Sequence, residues 1–285
     1  MVDGLPADVV ALALALDIHK IADAGLIAPD WESRFPHNSV VSESTVAIVT
    51  RKGNPHNVQD WGDLTREGVY SVSANPKTAG GARWNFLALW GHQMARGPAA
   101  AERFVRDVFM NVVVQPRDAR EASDAYYKQG VGDCLLTYEN EVIATNWMLG
   151  RSPRTASQVL PYVVPPNNVA VENPVAVVDR VVDERPPEVR EAAEAFVRFL
   201  YTDEAQREFA RWGFRSVTPA ILREQLAGGL PPVKTLWRVD RKLGGWRAAQ
   251  VRLFDSGTVL DRIQREVGAA RLEMQKRGVG LGKRK

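Results

Sequence analysis

Hydrophobic and polar positions alternate along residues 69–73, break at Asn75-Pro76, and resume at Trp84, Leu87, Leu89 and Trp90 with helical spacing. The pattern predicts a strand, a loop and the start of a helix. Gly80 and Gly81 stand where the loop enters that helix, so first-turn N–H groups can approach a ligand with no Cβ in the way. A pair of glycines before a helix fits an ordinary turn as well as an anion cradle, and the pattern alone leaves both readings open.

The same alternation recurs elsewhere. The apolar run 9–16 predicts a buried strand, followed by a helix over 17–24 that stops at Gly25. Residues 42–50 predict one strand ending in the turn Arg51-Lys52-Gly53-Asn54-Pro55, taken as a crossover between lobes. Helices are predicted over 82–95 and 99–109, and a strand over 112–115 stops at Pro116. The loop Arg117-Asp118-Ala119-Arg120 then leads into a helix over 121–129, which uses the opening pattern a second time. Two helix N-termini thus fall at the carboxyl ends of strands, where open α/β sheets bind ligands.

Farther on, 134–138 predicts a strand, with Glu139 and Glu141 at the head of a helix to 149. The polar, proline-rich stretch 151–168 precedes a strand over 169–178 that returns the chain to the first lobe. Pro187 opens a helix with Val189, Ala193, Phe196 and Leu200 on its inner face, and Thr202 caps the next. Gly244-Gly245-Trp246 opens a long helical region through Asp255 to Val267. The fold class is α/β in two lobes: 1–47 and 166–230 in the first, 48–165 in the second, 231–270 a C-terminal helical segment, and 271–285 a basic, solvated tail.

Composition narrows the chemistry. The net charge of +3 arises in that tail, which carries a net +5 and leaves the rest at −2, so nothing calls for a nucleic-acid partner. Cys134 is the single cysteine and reads as a small buried residue. His19, His37, His56 and His92 show no metal spacing and read as surface or loop residues. Trp84, Trp90, Trp147 and Trp212 fall on apolar helical faces and read as core. No Walker loop, nucleophile elbow or triad is present, and no cofactor or enzymatic activity is called for. The run 9–16 is too short to span a bilayer and lacks the basic flank of a signal peptide.

The stretch Asn75-Pro76-Lys77-Thr78-Ala79-Gly80-Gly81-Ala82-Arg83-Trp84-Asn85 resembles a motif of the sulfate-binding receptors of bacterial sulfate/thiosulfate ABC transporters. The resemblance extends in order to Ala7-Asp8-Val9-Val10, Arg51-Lys52-Gly53-Asn54-Pro55, Gly132-Asp133, Glu139-Asn140-Glu141 and Gly244-Gly245-Trp246. It implies a two-lobed type II periplasmic-binding-protein fold that closes on dehydrated sulfate or thiosulfate and delivers it, as a monomer, to a membrane permease. The implied compartment is the periplasm, or in some algae the plastid. It also implies that the family's first strand and a Ser/Gly-rich anion loop precede Val2-Asp3-Gly4-Leu5, leaving the first lobe incomplete at the N-terminus.

Carried over by residue, the resemblance implies sulfate donors at the amides of Gly80, Gly81 and Ala119. Ala79 stands where the family usually has a serine hydroxyl, and Tyr138 where it often has a tryptophan. Thr78, Arg83 and Arg120 support the site. Asp118 and Glu121 would repel an anion they faced, with Arg117 or Arg120 offsetting them. Three alternatives stand beside capture of sulfate: another tetrahedral oxyanion such as molybdate, a receptor-like interaction protein with weakened binding, and an enzyme that cradles a phosphorylated substrate.

Overall fold

The computed structural model describes residue 4 and residues 6–278; the readings on Val2, Asp3 and Leu5 and on the last seven residues of the basic tail lie outside the described residues. From the N-terminus, β1 (Val9–Ala11) and α1 (Ala15–Asp23) precede β2 (Val40–Ser44) and β3 (Val46–Thr50). Next come β4 (Ser71–Val72), α2 (Gly80–Gln93), α3 (Pro98–Met110), β5 (Val112–Val114), α4 (Ala119–Tyr127), β6 (Cys134–Tyr138) and α5 (Glu139–Gly150). Then β7 (Tyr162–Val163), β8 (Asn167–Val169) and β9 (Val171–Val177) lead to α6 (Pro187–Phe199), α7 (Asp203–Arg211) and α8 (Pro219–Ala227). The longer elements end with β10 (Thr235–Trp237) and α9 (Val259–Lys276). The chain divides into two compact units, one made of the residues up to Ser44 with Val171–Pro231, the other of Thr45–Ala170 with the residues from Pro232 onward.

In the first unit β9 pairs antiparallel with β1 on one side and β2 on the other. Side chains alternate across β9: Ala176 joins Val10, Ile18, Ile21 and Trp31 on one face, while Val175 and Val177 join Phe35, Val41 and Val197 on the other. The interior polar groups are matched. Gln206, fully buried, donates to the carbonyls of Val41 and Leu200, and its Oε1 accepts from Ser216 Oγ and the Val217 amide. Thr202 caps α7 by accepting from the Ala205 amide.

Three expectations change in this unit. Residues 9–16 are not one strand: β1 ends at Ala11, and Leu14, 1% exposed, caps α1. An unbroken apolar run carries no period to separate strand from buried helix, and pairing with β9 alone satisfies β1. On α6 the expected Val189, Ala193 and Leu200 do pack against the core, but Val197 takes the place expected of Phe196, which is 52% exposed. Trp212 is also exposed, its indole N–H donating to Glu208.

The second unit is built on a five-stranded sheet of order β5-β4-β6-β3-β7. β4 runs parallel to β5 and β6, and β3 is antiparallel to β6 and β7. Each of the three parallel neighbours feeds a helix, α2 from β4, α4 from β5 and α5 from β6. Helix α2 is buried from Trp84 to Gly91, and there Trp237 of β10 lies against its backbone: a Cβ on Gly91 would sit 2.3 Å from the indole nitrogen. The core beneath holds Val49, Val72, Ala82, Ala122, Tyr126 and Leu135.

Here too the sequence reading is corrected. Residues 42–50 form β2 and β3, one in each unit, separated at Thr45, whose hydroxyl donates to the Val169 carbonyl. The region after Gly245 breaks into a short helix, a π-helical turn over Gln250–Phe254 and, after Asp255, α9. The basic tail begins as helix: Arg271 lies within α9 and donates to the carbonyls of Phe109 and Met110 at the end of α3 and of Val112 in β5, so it is a cap and not a loose charge. Trp147 is 44% exposed, with Arg151 over its ring.

Two histidines that read as surface or loop sit on helices. His92 packs against Phe104, where burial pushes its pKa down, and His19 lies edge-on to Trp31 and 2.9 Å from Glu32. Cys134 is buried, and burial, with the Asp133 charge next, pushes its thiol up to about 12.

Candidate functional site

The loop 75–79 is a tight turn organised by Asn75. Its carbonyl accepts from the amides of Thr78 (3.1 Å) and Ala79 (2.9 Å), and its side chain accepts from the Lys77 amide at 2.9 Å. Ala79 then takes the N-cap of α2 in an extended conformation, with no side chain capping the helix. By helix geometry the first-turn N–H groups, from Gly80 onward, have no carbonyl inside the helix to donate to. They form a positive helix end with its donors uncapped.

The second loop is tied to the first. The Asn75 amide donates to the Pro116 carbonyl at 2.8 Å, and the Thr78 hydroxyl to the Arg117 carbonyl at 2.6 Å. Asp118 caps α4, accepting from the Glu121 amide at 2.8 Å, and Glu121 pairs with Arg117 at 2.7 Å. Both carboxylates expected to repel an anion are thus engaged locally. The third N-terminus, that of α5, has Tyr138 at its N-cap and also lacks a side-chain cap.

These elements meet in one pocket, lined by Gly81, Ala82 and Asn85 of α2, Ala119 and Ala122 of α4, the end of β6 from Leu135 to Tyr138, and Glu141. The Tyr138 hydroxyl is buried with no hydrogen-bond partner in the protein, and a Cβ on Gly81 would lie 3.2 Å from it. Burial, and after it the Glu141 charge, pushes this phenol well above the ordinary tyrosine value. Asn85 donates to Ser73 Oγ and the Leu136 carbonyl, which fixes its amide and leaves Oδ1 buried without a partner. A buried hydroxyl without a partner costs stability, and an acceptor bound against Tyr138 removes that cost; Asn85 Oδ1 is itself an acceptor and is satisfied only by a donor.

Of the residues expected at the site, Gly81, Ala119 and Tyr138 line the pocket, whereas Ala79 and Gly80 are not among its lining residues and stand next to Gly81 as the N-cap and first residue of α2. Thr78 is turned toward the second loop, and Arg120 is exposed. Arg83 points away, with Nη1 3.0 Å from Gln250 Oε1 and its guanidinium over the Phe254 ring. Asn85 went unassigned in the sequence reading although it closes the motif; its signal was a polar residue on an otherwise apolar helix. Among the described residues no His, Cys, Asp or Glu cluster is arranged to hold a metal ion.

The sequence matches the family described as bacterial extracellular solute-binding protein over residues 1–215. A sulfate-binding protein of Synechococcus elongatus is 44% identical over 94% of this chain and 73% of its own length. A thiosulfate-binding protein of Pseudomonas aeruginosa is 36% identical over 92% and 77%. Among solved structures, the sulfate-binding protein SubI from Mycobacterium tuberculosis superposes with a TM-score of 0.76 at 36% identity, covering 89% of this chain and 83% of that one.

Proposed function

The chain belongs to the bacterial extracellular solute-binding proteins, in their sulfate-binding branch with its two-lobed type II periplasmic-binding-protein fold, and from that premise we propose that it captures sulfate or thiosulfate in the periplasm and delivers it to an ABC permease. It acts as a monomer and performs no chemistry on its ligand. The amides of Gly80 and Gly81, the Ala119 amide and the Tyr138 hydroxyl donate to the anion, and Ala79 adds no hydroxyl of its own. Thr78 holds the two loops together, and Arg83 and Arg120 support the site from outside the pocket.

Sulfate carries no proton at neutral pH, so donors alone satisfy it, and helix ends stabilise its charge without a buried counter-ion. Hydrogen phosphate needs an acceptor for its proton, which the amides and the phenol named above do not supply. One observation carries the reading: the buried, unpartnered Tyr138 hydroxyl faces the uncapped start of α2.

Titration calorimetry with sulfate, thiosulfate, phosphate and molybdate tests it. Sulfate or thiosulfate binding at micromolar dissociation constants or below, with little heat from phosphate, is the expected result. A folded sample giving no heat with any of the four anions overturns the reading.

A further inference from the structure

The binding motif contains two cations, and neither lies in the pocket. Lys77 Nζ stands 2.5 Å from Asp261 Oδ1 in the first turn of α9 and 3.2 Å from the Phe254 carbonyl. Arg83 reaches Gln250 Oε1 at 3.0 Å, and Gln250 Nε2 in turn donates to Asp255 Oδ1 at 2.6 Å. Gln264 of α9 donates to Asn75 Oδ1 at 3.4 Å, the same oxygen that shapes the turn before Ala79. Apart from the Gln250–Asp255 bond, which lies within the C-terminal stretch, these contacts run from residues 75–83 to residues 250–264.

That C-terminal stretch has the shape for this role. The π-helical turn Gln250–Phe254 ends in a carbonyl with no continuing helix to use it, and a lysine ammonium is the natural partner for such a carbonyl. It also lies outside residues 1–215, the part that matches the family of solute-binding proteins. Gly80 and Gly81 place no side chain against their surroundings, so the direction of their amides is set by whatever fixes the turn before them and the helix after them.

We propose that Asp261 and Gln250 serve anion binding from behind the site: they are positioning residues that hold Lys77 and Arg83, and through them aim the amides of Gly80 and Gly81. The affinity effect of this arrangement rests on the sulfate reading above; the ordering of the loop does not. The ligand's charge is met by aimed peptide dipoles, and the loop's own cations do the aiming from behind.

The test compares Asp261→Ala, Asp261→Asn and Gln250→Ala with Arg262→Ala, which breaks the pair between Arg262 of α9 and Glu102 of α3 and leaves the loop contacts in place. Amide hydrogen exchange in the ligand-free protein reads loop order directly. Exchange across 75–83 is expected to rise in the first three variants and stay at the wild-type level in Arg262→Ala. Sulfate dissociation constants should rise roughly three- to thirtyfold in the first three variants only, and Lys77→Arg should restore most of what Lys77→Ala loses. Unchanged exchange over 75–83 in folded Asp261→Asn and Gln250→Ala overturns the proposal, as does an equal rise in Arg262→Ala. A wild-type protein that binds no sulfate sinks the function proposed above, while the exchange comparison still decides this inference.

Discussion

Tyr138 carries two opposed free energies on one atom. Its hydroxyl is buried with no protein partner, which costs stability in the ligand-free protein, and under the proposed function it donates to an anion, where a hydrogen bond to a charged group contributes about 1.5–3 kcal/mol. Tyr138→Phe should therefore leave the ligand-free protein as stable as wild type or up to about 1 kcal/mol more so, while weakening sulfate binding roughly ten- to hundredfold. Thermal unfolding and calorimetry on the same samples measure both signs. Burial keeps the phenol protonated well past the pH at which free tyrosine ionises, near about 10, so sulfate affinity should stay flat up to that pH. At Ala79 the direction reverses. Ala79→Ser supplies an N-cap hydroxyl to a helix that has no side-chain cap, and should add about 0.5–2 kcal/mol to stability, with tighter sulfate binding if the hydroxyl turns to the ligand.

Among the elements, α2 supplies Gly81, Ala82 and Asn85 to the pocket and also packs its backbone at Gly91 against Trp237. A methyl on Gly91 meets the Trp237 indole at 2.3 Å, so Gly91→Ala should cost about 1–3 kcal/mol of stability and lower the urea midpoint, with a larger loss if β10 cannot move. In the first unit, Asp179 gathers the Ala28 amide at 2.7 Å, Arg34 at 2.6 Å and Arg190 at 3.1 Å. Burial alone would raise its pKa, but the Ala28 amide and the two guanidinium groups outweigh it and hold the carboxyl below its ordinary value. A carboxylate with a depressed folded pKa contributes stability that is complete above its unfolded pKa, near about 3.9, and is lost as pH falls through the folded value. Asp179→Asn should thus melt well below wild type at pH 6, and the gap should close in acid below about pH 4. Elements of this kind were unevenly legible. Cys134–Tyr138 was read to the residue because β-branched and apolar residues end there at an acidic helix start, and Thr202 was read as a cap because its hydroxyl precedes two acids. The run 9–16 was misread because an unbroken apolar segment carries no period.

At the scale of the whole molecule, a ligand that binds the folded chain and not the unfolded one raises its stability by mass action. Sulfate at a hundred times its dissociation constant should add about 2.7 kcal/mol, seen as a rise in melting temperature that grows with the logarithm of sulfate concentration and is lost in Gly81→Ala, whose methyl would crowd the Tyr138 hydroxyl. The chain by itself determined the family through the resemblance of its motif at 75–85, and it determined the class of fold and the places where strands feed helices because glycines, prolines and hydrophobic period act locally and leave their mark in local order. The glycine pair Gly80-Gly81 was visible in the sequence but fitted a turn as well as a cradle; the donor role came from the family resemblance, and the fold places the pair at the uncapped start of α2. Only the tertiary structure decided which way the polar side chains turn. Lys77, Thr78 and Arg83 stand inside the motif, yet their partners lie up to 184 residues away or in the neighbouring loop, and those partners draw them out of the pocket. Asn85 and Tyr138 are brought to one cavity by the pairing of β4 with β6, and that register is set by burial across the sheet and not by any neighbour in sequence.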